Sequence, residues 1–431
     1  MQLRRLARRL FPPLAAFLAP LAVVVSLPVL AGAQTPTPTP PPTPVLLPGG
    51  RTSPSPFPSV LRTPEPPGTI GELDARAAIL ADPDSGQVLF ARSAEEQLAI
   101  ASVTKIMTAL LVLERTRPRE TVTVSAEAAG DGRTAGISEL GLREGEQIRV
   151  DDLVYALLLQ SANDAALALA EHVSGSVDAF VDDMNARARR LGLAHTEFFS
   201  PNGLDDRGYS TAVDLVTLTQ AAYRLPRFAD IVATQVHEIP APEDAGAPRT
   251  IQNRNVLLWL YPGAVGVKTG FTGQAGFCIV AVAEREGQRL VAVVLGGSGE
   301  VFSEAAMLLN VGFDAFERRE VIAEDQSLGV VTIAGREIPV AAGRSLVGLI
   351  PVEAPVRRRV LLDGGVSFPP LPGEIIGTVV VSVPEMRIGE VPLEVVEVPP
   401  PPPPAGDGPW WRRAGSSVLD AAGAVLDALF G

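Results

Sequence analysis

The chain of 431 residues is 46% hydrophobic, carries a formal charge of −13, and contains 40 prolines, three histidines and one cysteine. Its length allows one large core and a second, smaller one, while its acidic balance offers no basic stripe to a phosphate backbone and excludes nucleic acid as a partner. One cysteine closes no internal disulfide and, with three scattered histidines, makes a poor metal-ligand set, so no metal or other cofactor is expected.

Residues 1–33 carry Arg4, Arg5, Arg8 and Arg9, then an apolar stretch to about Leu30, then Ala31-Gly32-Ala33. This is the pattern of a secretory signal peptide and predicts an exported body at the extracytoplasmic face of the membrane or in the wall. An uncleaved anchor is the alternative, since the apolar stretch is nearly long enough to span a bilayer. Residues 34–68 are Thr/Pro-rich and predict an extended spacer of roughly 100 Å at about 3.1 Å per residue.

Residues 69–317 alternate strand and helix patterns. Ala77 to Arg92 forms two strand-like runs around Asp84-Ser85-Gly86, a hairpin signal. Helical periodicity covers Ala101 to Glu114, Val150 to Val173 and Val177 to Leu191. Strands return at Phe277 to Val282 and Leu290 to Leu295, and a helix from about Ser303 to Phe316 closes the segment. Strands at both ends with helices between them predict an α+β arrangement, a mostly antiparallel sheet packed against helices. Residues 318–397 are short Val/Ile-rich runs broken by Gly and Pro, which predict a small all-β domain. Residues 398–409 form a second Pro-rich linker. In 410–431, Val418, Leu419, Ala422, Val425, Leu426, Leu429 and Phe430 share one helical side, and Trp410, Trp411, Arg412 and Arg413 precede them. That is the composition of an amphipathic helix lying on a membrane surface; docking back on the protein or pairing with a second chain is the alternative.

Of 36 basic residues only two are lysine, Lys105 and Lys268. Arginine stays charged at any accessible pH, whereas a lysine in a suitable site loses its proton and acts as a base, so the two surviving lysines mark positions that arginine does not serve. Lys105 ends Ser102-Val103-Thr104-Lys105, and the i, i+3 spacing near a helix start brings its amine to the Ser102 hydroxyl. Free N–H groups at that helix start suit a developing oxyanion. Ser161-Ala162-Asn163 interrupts a hydrophobic helical stretch: Ser161 is a candidate proton relay and Asn163 a candidate holder of the substrate amide, with helix capping or kinking as the plainer role. Lys268-Thr269-Gly270 leads toward the strand of Phe277 and Cys278, and its cation, hydroxyl and glycine suit a carboxylate approaching the backbone. A solvated turn lysine is the alternative there.

Ser-x-x-Lys, Ser-x-Asn and Lys-Thr-Gly in this order resemble the signature of penicillin-binding proteins and serine β-lactamases. The flanking segments ASVTKIMTALLVLE, LLLQSANDAALALAEHVSGS, RRLGLAHTEFFSPNGLDD, NRNVLLW and VGVKTGFTGQAGFCIVAVAEREGQRLVAVVLG resemble low-molecular-mass D-alanyl-D-alanine carboxypeptidases, peptidase family S11, over about Ile70 to Phe316. The resemblance implies a β-lactamase/transpeptidase-like domain with a helical subdomain, followed by a small all-β domain. It implies that Ser102 attacks a peptidoglycan stem peptide, that Lys105 accepts its proton, and that Ser161 relays a proton to the leaving D-alanine. Lys268 and Thr269 would then hold the terminal carboxylate, with Arg254 assisting, and the backbone N–H groups of Ser102 and Phe271 would line the oxyanion hole. β-Lactams are implied as covalent inhibitors. No Glu-x-x-Leu-Asn-like loop is present to activate a deacylating water, which argues against a β-lactamase. A D,D-endopeptidase using the same motifs, and an inactive wall-binding scaffold, are the alternatives. His172 and His195 are expected to be packing or surface residues, and Cys278 buried and inert.

Overall fold

The computed structural model describes residues 70, 72–130, 137–241, 247–364, 366, 368–384 and 386–399. The expected signal peptide, Thr/Pro spacer, C-terminal amphipathic helix and nearly all of the second linker lie outside them.

Five antiparallel strands make the central sheet: β1 (Ala77–Ala81), β2 (Val88–Arg92), β3 (Ala264–Thr272), β4 (Gly276–Arg285) and β5 (Gln288–Gly297), in the order β2-β1-β5-β4-β3. Strands covered on both faces read as continuous apolar runs, which is the pattern of CIVAVA and LVAVVL. The period of two then divides the side chains. Ile79, Val280, Val282, Val291 and Val293 face a helical layer, while Leu80, Ile279, Ala281, Leu290 and Val294 face the helix Val301–Ala315, with Leu257 and Tyr261 in the same core.

The helical layer contains α1 (Lys105–Arg115), α2 (Val150–Tyr155), α3 (Asn163–Ser174), α4 (Val177–Leu191), α5 (Ala212–Tyr223) and α6 (Pro226–Ala233); the helix on the opposite face is α7. Every residue of α1 from Lys105 to Leu113 is buried. A short 3₁₀ turn, Ala101–Thr104, leads into α1 in place of the first turn of the expected α-helix. Helix α4 keeps its expected bounds because both ends are capped: the Ser176 side chain accepts from the Ala179 N–H, and Gly192 closes it in the left-handed region.

The helix expected from Val150 to Val173 is a correction. After α2 the chain widens into a π turn, Ala156–Gln160, and Ser161 then adopts φ +66° before α3 begins at Asn163. A non-glycine residue in the left-handed region ends the hydrogen-bond ladder, so the apolar periodicity continues while the helix does not. Lys268-Thr269-Gly270 is another. It lies in its own edge strand β3, with Thr269 opposite Ile279 and Gly270 opposite Cys278 on β4.

The C-terminal region is β throughout: β6 (Phe316–Ile322), β7 (Ser327–Ile333), β8 (Arg336–Ala342), β9 (Leu346–Pro351), β10 (Arg357–Leu362), β11 (Ile375–Val383) and β12 (Met386–Val395). One sheet runs β7-β8-β12-β11-β10 and a two-stranded ladder pairs β6 with β9; together they enclose a core of Val321, Ile338, Val340, Ile376, Val379, Val381 and Leu393. Strand β6 follows α7 without an intervening loop. The β1–β2 turn is fastened to this region. The Gln87 amide donates to the Leu349 carbonyl at 2.5 Å and accepts from its N–H at 2.9 Å, and the buried Asp82 carboxylate accepts from Arg318 at 3.1 Å. Replacing Gln87 with alanine removes both main-chain bonds, with an expected loss of about 1–2 kcal/mol in thermal unfolding and faster exchange of the Leu349 amide. Unchanged exchange at Leu349 would show that the clasp does not hold the junction.

Candidate active site

Ser102, half-buried, sits on the 3₁₀ turn ahead of α1. Its neighbour Ala101 is held at φ +47°, a strained position for a residue with a side chain. Two other backbones press on this turn. A Cβ at Gly203, where φ is +77°, would lie 2.0 Å from the Ala101 carbonyl oxygen, and a Cβ at Gly270 would lie 3.0 Å from the Ser102 nitrogen. Glycine is required at both positions because main chain meets main chain.

Lys105 is fully buried. Its Nζ lies 2.9 Å from Ser102 Oγ, 2.7 Å from Asn163 Oδ1 and 2.6 Å from the Asn202 carbonyl oxygen. Burial, then the positive charges of Lys268 and Arg254, hold its pKa well below the ordinary lysine value, against a smaller opposing pull from Asp164. A neutral amine has two N–H groups and one lone pair. The carbonyl oxygens of Asn163 and Asn202 accept the two hydrogens, which turns the lone pair toward the Ser102 hydroxyl. The side-chain amide of Asn163 donates to the Ser138 carbonyl at 3.0 Å, so its oxygen is the atom that faces Lys105.

Lys268 is 1% exposed and its Nζ donates to the Thr269 carbonyl at 3.0 Å. Burial and the nearby Arg254 push its pKa down to about 7. Arg254 is itself largely buried, its backbone N–H bonded to the Leu159 carbonyl of the π turn at 3.0 Å, and Asn253 pins this loop by donating to the carbonyls of Val232 and Thr234. Two lysines and an arginine thus share one buried region, and among the described residues none of them is paired with a carboxylate. Such a region has a strong preference for an anionic group.

The structure brings Ser102, Lys105 and Asn163 into direct contact and lays Gly270 against the Ser102 backbone. Lys268 and Arg254 act on Lys105 through charge. Ser161 is buried at the π-turn break but is not among the three partners of Lys105. The Phe271 ring is 45% exposed and tilts against Phe277 with centroids 4.4 Å apart. His172 lies on the surface 3.4 Å from Glu120, and Cys278 is fully buried with its thiol pushed up to about 11 by burial. Among the described residues no group of three or more His, Cys, Asp or Glu is placed to hold a metal ion.

Three contributors are not singled out by sequence reasoning. Asn202 acts through its backbone carbonyl, which carries no residue-type signature, and Ser-Pro-Asn-Gly reads as ordinary turn chemistry. Ser138 likewise acts through its carbonyl. Asp164 follows Asn163 directly and looks like a helix N-terminal acid. Its buried carboxylate accepts from the N–H groups of Leu140, Gly141 and Leu142 at 2.9, 2.8 and 3.1 Å, and so fixes the segment that carries Ser138.

Comparison with known proteins converges on one group. The family model described as D-alanyl-D-alanine carboxypeptidase, Peptidase S11, matches residues 61–299. The chain is 34% identical to the D-alanyl-D-alanine carboxypeptidase DacF of Bacillus subtilis over 60% of this chain and 67% of that protein. With DacC of Escherichia coli the identity is 33% over 75% of this chain and 84% of the relative. Among solved structures, penicillin binding protein 5 from Haemophilus influenzae superposes with a TM-score of 0.63 at 30% identity, covering 76% of this chain and 98% of that one. Penicillin binding protein 6B from Escherichia coli superposes at 0.60 with 28% identity, covering 76% and 96%.

Replacing Asp164 with alanine leaves three main-chain N–H groups without their acceptor. The expected result is a loss of about 3 kcal/mol and rapid exchange of the amides of Leu140 to Leu142. Native-like exchange in that variant would contradict the anchoring role.

Proposed function

The chain belongs to the peptidase S11 family and is a serine-type D-Ala-D-Ala carboxypeptidase, and from that premise we propose that Ser102 is its nucleophile and Lys105 the base that activates it. The observation that carries this assignment is the buried Lys105 amine, 2.9 Å from Ser102 Oγ, 2.7 Å from Asn163 Oδ1 and 2.6 Å from the Asn202 carbonyl oxygen, a set of contacts in which a neutral amine gives its two hydrogens to the asparagines and its lone pair to Ser102.

Ser102 Oγ attacks the carbonyl of the penultimate D-alanine as its proton passes to Lys105 Nζ. The oxyanion is stabilised by the backbone N–H groups of Ser102 and Phe271. Collapse breaks the peptide bond; the proton returns through Ser161 to the departing amine, and free D-alanine leaves. Water, deprotonated by the regenerated Lys105 amine, attacks the ester, and Ser102 recovers its proton as the shortened stem peptide departs with a new carboxylate. Asn163 holds the substrate amide. Lys268, Thr269 and Arg254 hold the terminal carboxylate, whose charge offsets that of the clustered cations and favours the protonated form of Lys268. Gly270 lets β3 lie directly against the Ser102 turn. β-Lactams offer the same carboxylate beside a reactive carbonyl and acylate Ser102.

The N-terminal segment supports export, and the sequence of residues 410–431 supports attachment to a lipid surface. Among the described residues no helix is long and apolar enough to cross a membrane; the split of residues 410–431 into an apolar side and a polar side supports attachment in the plane of the surface.

Residues 34–431, treated with penicillin and weighed intact, are expected to carry one adduct that Ser102→Ala lacks. The unmodified chain is expected to release D-alanine from diacetyl-Lys-D-Ala-D-Ala, with a loss of at least about a thousandfold in the variant. An adduct that persists in Ser102→Ala would place the nucleophile elsewhere.

A further inference from the structure

One cluster of exposed apolar side chains is left over after the site is assembled. Strand β10 is the edge of the C-terminal sheet and every one of its residues is exposed. Its last residue, Leu362, is 44% exposed, and the connection to β11 presents Phe368 at 43%, Leu371 at 70% and Ile375 at 56%. Val396, just past β12, is 54% exposed. Singly exposed apolar residues are ordinary on a soluble surface; a contiguous set is not.

Main-chain bonds bring together the segments that carry Leu362, Ile375 and Val396. Asp363 donates to the Ile376 carbonyl at 3.0 Å, Gly373 to the Val395 carbonyl at 2.8 Å, and Val395 to the Glu374 carbonyl at 3.0 Å. The tip is also where the chain leaves the domain. The Arg336 guanidinium lies 5.7 Å from the centre of the Phe368 ring and also bonds to the carbonyl of Pro399. Beyond Pro399 the sequence runs through five more prolines and Ala405 to Pro409 into Trp410-Trp411-Arg412-Arg413. Eleven steps at about 3.3 Å each keep Pro399 within roughly 36 Å of Trp410. A tail lying on lipid therefore keeps this end of the domain within that reach of the same surface.

We infer that the tip formed by Leu362, Phe368, Leu371, Ile375 and Val396 is a second lipid-contact surface. The inference rests on the proposed attachment of residues 410–431. Asp363, Glu394 and Glu397 flank the tip, Glu374 caps the Leu371 N–H at 2.7 Å, Arg336 lies against Phe368, and the exposed Arg357, Arg358 and Arg359 stand at the other end of β10, so the tip itself makes the contact by apolar insertion. Two points of attachment restrict the tilt of the protein on the membrane, where the tail alone leaves it free to swing.

The fully buried Cys278 makes the test clean, because a cysteine introduced at Leu371 is the accessible thiol among the described residues. Residues 34–431 carrying Leu371→Cys are labelled with a nitrobenzoxadiazole probe and mixed with phosphatidylethanolamine/phosphatidylglycerol vesicles, with co-sedimentation followed in parallel. The expected result is a blue shift and quenching by a lipid-borne nitroxide, both absent from a probe at Val213→Cys on the catalytic domain, and about tenfold weaker sedimentation of Phe368→Ser/Ile375→Ser. Protein that sediments with vesicles while the Leu371 probe stays aqueous overturns the contact and leaves the tail attachment standing. Protein that does not sediment overturns both. A blue shift already present without vesicles assigns the tip to the chain's own tail, or to a second copy if dilution abolishes it, and likewise overturns lipid contact.

Discussion

The Lys105 amine is removed from water at the start of α1 and met there by three oxygens, two from asparagines and one from Ser102. An ammonium in that position is disfavoured by desolvation and by two neighbouring cations, and a neutral amine is what the oxygens are placed to orient. Basicity and direction thus come from one arrangement. Asn202, Asn163, Asp164 and strand β3 each help to keep that amine dry, neutral and aimed.

The means are mostly backbone. The Asn202 carbonyl reaches Lys105 because Gly203 lets its loop lie on the Ala101 carbonyl. Asn163 reaches it because the π turn and the left-handed Ser161 break a helix that would otherwise have carried the side chain past the site. Asp164 and Ser138 then lock that geometry from behind. Strand β3 completes the third wall, with Gly270 against the Ser102 backbone and Lys268 adding its charge to the burial that depresses Lys105. A sheet covered on both faces carries these walls, and the C-terminal β region is clasped to it through Gln87 and Asp82.

What was legible in the sequence follows from range. Strands β4 and β5 were readable to within a few residues because a doubly covered strand is a continuous apolar run, and α4 was readable because Ser176 and Gly192 punctuate it. The scarcity of lysine in the sequence singles out Lys105 and Lys268. The strand order was not readable, since β1 lies against β5 through pairs such as Ala77 with Leu295, far apart in the chain. The helix break at Ser161 was hidden because apolar periodicity runs straight through it. Asn202 and Ser138 were hidden because a backbone carbonyl has no side-chain signature.

Two lysines in the whole chain allow the central interaction to be measured directly. With lysine labelled at ¹³Cε and ¹⁵Nζ, and the pair assigned through Lys268→Arg, NMR titration of the unliganded enzyme reads each amine by itself. The Lys105 resonance is expected to change with a midpoint well below the ordinary lysine value of 10.5, and that of Lys268 near 7. A Lys105 amine that stays protonated until pH is close to 10.5 would contradict the account, because the group facing Ser102 would then be a donor with no lone pair to accept its proton.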